Sequence, residues 1–353
     1  MAKIMFFNHS ATIGGIFSTF STYAIALNKK HEVIFVHNRP ATNRGKEMIG
    51  DVRLICLNVS RFRNSLPKLI SLINTERPDV LISGGDQRNV FCILASRLSK
   101  VHPKVLISQH NYINVEYNSW VHKLCYRFYN LADGVLAVSR GIKEFLISEG
   151  VREEKVILQY NPIDIEKTLR MAECEPEVAI SGDYLMFLGR LDPVKNLYYL
   201  IDAFGLVLQQ YPKLKLVLVG DGQEKDNLMK HVNEKGLSGN VVFAGLQANP
   251  YAFLKRAKAM ILSSFSEALP TVVIEALTLG KTVVATPTNG ALDLLDNGRL
   301  GYFTTKFDDA AEMSEKIVLS LNQPFDETML KNESKNFSVD KKVQELENII
   351  ANL

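Results

Sequence analysis

The feature that most constrains this chain is an alternation that runs once, breaks off and runs again. Short, near-continuous apolar stretches alternate with segments of helical spacing. In the first half the apolar stretches are Lys3–Phe7, Glu32–His37, Arg53–Leu57, Val80–Ser83, Val105–Ser108 and Gly134–Val138. Between them lie segments such as Leu66–Asn74 and Trp120–Leu131, where apolar residues recur at helical intervals. Strands without polar alternation are buried on both faces, so the pattern predicts a parallel sheet covered by helices on either side. Tyr184–Gly189, Lys215–Val219, Val241–Phe243, Ala259–Leu262 and Thr282–Ala285 then read as a second set of strands, with helices such as Leu197–Tyr211 and Thr271–Leu279 between them. Asn161–Gly182 holds Pro162 and Pro176, loses the strand rhythm and reads as a linker.

Two doubly wound sheets in one chain predict two domains with a cleft between them and ligands at the carboxyl ends of the strands. The expected division is 1–165, 166–336 and a terminal helix, 337–353. Val343, Leu346, Ile349 and Ile350 share a face of that helix and need a domain to bury against.

Composition limits the alternatives. The chain has 353 residues, 46% hydrophobic and 22% charged, which suits about two globular cores and no long disordered tract. Its four cysteines, Cys56, Cys92, Cys125 and Cys174, are far apart and form no Cys-x-x-Cys pair, so neither a zinc site nor a disulfide framework is expected and a reducing cytosol is the natural setting. Asn8, His9, Ser10 and Thr12 interrupt the first apolar stretch too early for a signal peptide, and no stretch of 18 apolar residues exists to span a membrane. Net charge is +3, unevenly spread: residues 1–165 carry +8 and the remainder −5. A basic first half suits an anionic partner such as a membrane surface or a phosphorylated acceptor, and chance asymmetry is the competing reading. No nucleic-acid partner is expected.

Four places could carry chemistry. Gly14–Gly15 follow the first strand and precede a helical segment, where a backbone can approach a ligand; a tight turn without a ligand is the alternative, and the dinucleotide fingerprint is absent. Ser108-Gln109-His110-Asn111 follow a strand, and His110 could bond a sugar hydroxyl or phosphate, shuttle a proton, or serve only packing. In Gly189-Arg190-Leu191-Asp192-Pro193-Val194-Lys195-Asn196, two cations five residues apart across a turn suit a pyrophosphate, Arg by its fork and Lys as a point charge. In the stretch 266–275, Glu267 precedes a turn at Pro270 and Glu275 lies in the helix that follows. That helix start exposes N–H groups able to stabilise a leaving diphosphate. Glu275, among Val272, Val273, Ile274, Ala276 and Leu277, needs a ligand hydroxyl or other donor, or else a solvated face. No Asp-x-Asp follows a strand, so no metal is expected at a diphosphate. P-loop, zincin and nucleophile-elbow motifs are missing as well.

Taken together, Gly14–Gly15, SQHN at 108–111, AVSRGIKE at 137–144, NPID at 161–164, GRLDPVKN at 189–196, VGDG at 219–222 and SEALPTVVIEALTLGK at 266–281 resemble the family 4 retaining glycosyltransferases, over nearly the whole chain. Glu267 and Glu275 match the family's E-x7-E motif. The resemblance implies an α/β chain of the GT-B fold: two doubly wound Rossmann-like domains facing an interdomain cleft. It implies that Arg190 and Lys195 hold the donor diphosphate, that Glu275 bonds the ribose, and that Glu267 contacts the donor sugar with the backbone of Ala268, Leu269, Pro270 and Thr271. His110 would lie near the reacting centre. Gly14–Gly15 would admit the diphosphate and acceptor, the backbone at Leu246 would pair with the base, and the last helix would return to the N-terminal domain. Ala268 and Thr271 depart from the family's common Gly and Asn, which leaves the donor sugar open. SQHN also resembles the SEHN of bacterial enzymes that extend lipid-linked sugars.

The activity expected is retaining, metal-independent transfer of a hexose or N-acetylhexosamine from a nucleotide-diphosphate sugar, with UDP the expected nucleotide and no other cofactor. The expected acceptor is a lipid-linked saccharide for a surface glycan. Arg61, Arg63 and Lys68, beside Phe62 and Leu66, would meet an anionic membrane, placing a cytoplasmic protein at the inner face of the cytoplasmic membrane. The rival readings are a nucleotide-sugar epimerase on the same fold and a non-catalytic nucleotide-sugar-binding protein.

Overall fold

Each of the apolar stretches forms a strand, and the strands gather into two parallel sheets. The computed structural model describes residues 1–10, 14–59, 61–111 and 120–353. The first sheet holds β1 (Lys3–Ser10), β2 (Glu32–Arg39), β3 (Arg53–Cys56), β4 (Val80–Gly84), β5 (Lys104–Gln109), β6 (Gly134–Ala137) and β7 (Val156–Leu158), in the order β3-β2-β1-β4-β5-β6-β7. The second holds β8 (Tyr184–Leu188), β9 (Lys215–Val219), β10 (Val241–Gly245), β11 (Ala259–Leu262), β12 (Val283–Ala285) and β13 (Tyr302–Phe303), in the order β10-β9-β8-β11-β12-β13. In each sheet the winding reverses once, beside β1 and β4 in the first and beside β8 and β11 in the second. These reversals are where such sheets offer a crevice to ligands.

The period-two alternation of a strand explains why both faces are covered. In β8, Tyr184 and Met186 enter one buried cluster with Val217, Met260, Val273 and Leu277. Leu185 and Phe187 point the other way, into a cluster with Leu200, Phe204, Leu216 and Ile317. Phe187 is fully buried, so truncation to Ala would cost about 3–5 kcal/mol.

The chain divides into two units, Met1–Pro162 with Val339–Leu353, and Ile163–Ser338. The boundaries thus fall at 162/163 and 338/339, not at 165/166 and 336/337. The expected linker is mostly part of the second unit. It contains a helix, Ile165–Ala172, started by an Asp164 side chain that accepts from Lys167 N–H. Pro162 and Pro176 lie outside that helix and mask it in the sequence. The AVSRGIKE stretch works in a similar way: Ser139 caps the helix Arg140–Ser148 by accepting from Ile142 N–H.

The terminal helix, Val339–Ala351, packs on the first unit. Val343 and Leu346 join a buried cluster with Phe17, Phe20 and Leu27 of the helix Gly15–Leu27. Gln159 Nε2 donates to Lys342 O at 2.9 Å, and Glu347 accepts from Lys30 at 3.0 Å. No helix among the described residues is long and apolar enough to cross a membrane.

Candidate functional site

At the reversal of the second sheet, the carboxyl ends of β8 and β11 bring Lys195 and Glu267 together. After β8 the chain turns through Gly189 and Arg190, and Pro193–Lys195 form a single 3-10 turn. The turn is fastened from below. Leu191 N–H donates to Asp221 O, and a Cβ on Gly220 would lie 1.9 Å from Gly189 O, so the VGDG stretch is the floor of the loop. It is fastened from the side by the residues after β11: Ser263 Oγ donates to Lys195 O at 2.7 Å and Phe265 N–H to Val194 O at 2.8 Å.

Lys195 Nζ then donates to Glu267 Oε1 at 2.6 Å, and Ser264 Oγ donates to the same oxygen at 2.7 Å. The two charged side chains are 18% and 13% exposed, so solvent screens the pair little. Gly290 N–H donates to Glu267 O at 3.1 Å and holds the backbone of the loop. Directly beyond, the helix Thr271–Thr278 begins after Pro270 with no side-chain cap, so its first N–H groups remain available to an acceptor. Ala268, Leu269 and Thr271 are partly exposed and Pro270 is buried.

Glu275 lies one turn into that helix and is partly buried. The carboxyl's one hydrogen bond among the described residues is from Tyr251 O–H, at a long 3.4 Å. Burial with so little compensation pushes the carboxyl up to about 7. A carboxyl in this state needs further donors to ionise comfortably.

The other expected residues are placed differently. Arg190 does not share a partner with Lys195. Its side chain is 80% exposed and pairs with Asp192 at 3.1 Å. Leu246 follows β10 with 75% exposure, at the carboxyl end of its strand. Gly14 and Gly15 stand at the start of the helix Gly15–Leu27, with open space where a Cβ would be.

In the first unit, His110 follows β5 and is partly buried. Its Nε2 lies 2.9 Å from Ser108 Oγ, and Phe20 meets the ring edge-on at 5.8 Å. Burial, with a smaller contribution from Arg88, lowers its pKa to about 3. The imidazole is therefore neutral near pH 7 and a poor proton acceptor, which favours hydrogen bonding over proton shuttling among the roles open to it.

On the expected membrane side, Arg61 and Arg63 are exposed. Lys68 is otherwise engaged: its Nζ donates to Leu57 O at 2.7 Å and to Asn58 O at 3.3 Å, so its charge caps the end of β3. Phe62 is not a free anchor either, because it stacks on Phe91 at 4.6 Å and meets His9 edge-on at 5.5 Å.

Sequence reasoning missed Ser263, Ser264 and Tyr251. Two serines directly after a buried strand are the signal that could have found the first two; Tyr251, in another helix, left none. Among the described residues no group of three or more His, Cys, Asp or Glu side chains is clustered to hold a metal ion.

Comparison with known proteins bears on both units. Residues 13–167 match the family model for Glycosyltransferase Family 4, and residues 178–337 that for Glycosyl transferases group 1. An uncharacterised glycosyltransferase of Methanocaldococcus jannaschii is 30% identical over 235 residues, which are 62% of this chain and 58% of that protein. A Campylobacter jejuni N-acetylgalactosaminyltransferase, named for a diphospho-undecaprenol-linked saccharide substrate, is 28% identical over 338 residues, covering 91% of this chain and 89% of its own. Among solved structures, Anabaena HepE in complex with UDP-glucose superposes with a TM-score of 0.83 at 21% identity, covering 100% of both chains.

Proposed function

The chain belongs to the family 4 glycosyltransferases and has their GT-B fold, and from that premise we propose that it moves a hexose or N-acetylhexosamine from a UDP-sugar to a saccharide acceptor with retention of configuration. The observation that carries the reading is the Lys195–Glu267 pair, held at 2.6 Å beside an uncapped helix start at the reversal of the second sheet. A cation and free N–H groups at one strand end suit a leaving diphosphate.

In this mechanism Lys195 and the N–H groups at Thr271 take up charge as the bond between the anomeric carbon and the phosphate oxygen breaks. Arg190 turns from Asp192 to the diphosphate. Glu275 accepts hydrogen bonds from the ribose hydroxyls, and the backbone at Leu246 pairs with the base. Glu267 keeps Lys195 in place and contacts the sugar. The acceptor oxygen attacks the anomeric carbon from the face the diphosphate leaves, and its proton passes to the departing phosphate oxygen. No protein nucleophile and no metal take part. His110, as a neutral imidazole, hydrogen-bonds the sugar near the reacting centre, and Gly14–Gly15 admit the substrates.

The acceptor is proposed to be a lipid-linked saccharide held on the first unit. The Campylobacter relative's name supports this. Arg61 and Arg63, both exposed, would face the anionic inner surface of the cytoplasmic membrane.

Turnover of labelled UDP-sugars with a lipid-linked acceptor tests the proposal. Transfer with the anomeric configuration kept is the result expected. UDP release at the same rate without acceptor would replace transfer by epimerisation or hydrolysis. A glycosyl adduct on Glu267 in the mass spectrum would overturn the same-face mechanism.

A further inference from the structure

A cavity lies at the reversal of the first sheet, and the proposed mechanism leaves it without a role. It measures about 400 Å³ and is lined by His9, Phe62, Asp86, Gln87, Arg88 and Cys125. His9 is at the carboxyl end of β1, and Asp86 opens the helix Asp86–Leu98 directly after β4. β1 and β4 are neighbours at the reversal of the first sheet.

Arg88 is the unusual member. It is partly buried, and its Nε donates to Gly84 O. Among the described residues it forms no ion pair with any carboxylate. The backbone is shaped around it: Gly85 has φ +95°, and a Cβ there would lie 2.0 Å from Arg88 Nη2. The left-handed turn favours glycine there, and without a Cβ the guanidinium can lie directly across the backbone. Burial lowers the Arg88 pKa, and Asp86 offsets this only in part.

A guanidinium with no carboxylate partner among the described residues, in a partly desolvated cavity, is costly and is relieved by an anion with oxygens matching its fork. The surroundings favour one. Arg39 acts on His9 in the same sense as Arg88, and the exposed Arg61 and Arg63 flank Phe62. Asp86 is the one acid among the described lining residues, and its Oδ1 accepts from Tyr129 O–H at 3.4 Å. Phe62, stacked on Phe91, supplies an apolar wall.

We infer that this cavity binds a phosphoryl group of the acceptor, with the Arg88 guanidinium as its principal ligand and Phe62 as the wall for the neighbouring apolar or sugar portion. The inference rests on the first unit being the acceptor side, and it restricts acceptors to those carrying a phosphoryl group.

The test uses the full chain with UDP at saturation, so that diphosphate binding elsewhere is already satisfied. Inorganic pyrophosphate and geranyl diphosphate are titrated, with the His9 ring resonances, identified from His9→Gln, as the readout. Both probes should shift His9 in the wild type. Arg88→Ala should weaken both at least tenfold and Arg88→Lys less, while Arg152→Ala, on an exposed ion pair outside the cavity lining, should change nothing.

An unmoved His9 at saturating pyrophosphate would overturn the inference without any variant. So would unchanged affinity in an Arg88→Ala protein that melts like the wild type. Binding of inorganic pyrophosphate with exclusion of geranyl diphosphate would overturn the assignment to a lipid-linked acceptor. UDP alone, followed by melting temperature, tests the donor site separately. If UDP fails to stabilise the protein while Arg88-dependent binding persists, the donor reading falls and this site stands.

Discussion

The two units build their ligand ends from the same parallel-sheet reversal and leave opposite electrostatics there. In the second unit the cation is matched internally: Lys195 is bonded to Glu267, which also accepts from Ser264. In the first unit Arg88 lines a cavity with no carboxylate paired to it among the described residues, and His110 nearby is held neutral. The difference teaches that topology chooses the place of a site and leaves its charge state to a few loop residues. In a matched pair each charge offsets part of the other's desolvation cost. An unmatched cation costs stability and selects an anion.

The comparison can be broken at several points. The largest effect belongs to the matched pair. Lys195→Ala should lower kcat/KM by about 10²–10³-fold, the scale for losing one stabilising group at a leaving anion, and destabilise the fold by about 1–3 kcal/mol because Glu267 is left half-buried without its charged donor. Steady-state kinetics and denaturant unfolding check both; a small kinetic loss with a large unfolding loss would reduce the pair to scaffolding.

Glu275 should produce a pH effect. Its carboxyl is raised to about 7, so its contribution to ligand-free stability is present below the unfolded value near 4.5 and lost as pH rises through 7. Glu275→Gln should therefore stabilise the free protein at pH 8, by about 1–3 kcal/mol, with little change at pH 4.5. If ribose hydroxyls bond the ionised form, UDP affinity should rise about tenfold from pH 6 to pH 8 with release of a proton. Calorimetry in two buffers of different ionisation enthalpy reads that proton; a flat pH dependence removes Glu275 from the nucleotide site.

His110 gives a smaller effect. With a pKa near 3, kcat should show no limb near pH 6.5, and His110→Gln, which keeps a hydrogen-bonding side chain, should stay within about tenfold of the wild type. A limb near 6.5 that vanishes in His110→Gln would restore the proton-shuttle role. The smallest effect is expected at the membrane side: Arg61→Glu with Arg63→Glu should reduce binding to anionic liposomes a few-fold at low salt. No binding by the wild type itself would end the membrane proposal.

Much of this was legible beforehand, and the omissions have physical causes. Strands buried on both faces announce themselves as unbroken apolar runs, so β1 to β6 and β8 to β12 are visible. Three-residue Val156–Leu158 and two-residue Tyr302–Phe303, at sheet edges, are too short to carry a pattern. The helix Ile165–Ala172 hid between two prolines. At the candidate site, Lys195, Glu267 and Glu275 stood out because their loops follow strands. Residue spacing alone does not say which charges pair. Arg190 goes to Asp192, Lys195 to a residue 72 positions away, and Lys68 to backbone carbonyls. Gly84–Gly85 end and follow β4 much as Gly14–Gly15 come after the first strand, and that parallel was the one hint of the Arg88 cavity.

The central claim is that the second unit grips a nucleotide diphosphate through Lys195, the helix start at Thr271, and Glu275. Titration of UDP into the wild type, Lys195→Ala and Glu275→Ala, followed by calorimetry, tests it most directly. The account predicts saturable one-to-one binding by the wild type and at least tenfold weaker binding by each variant. Wild-type affinity retained in both correctly folded variants would contradict it.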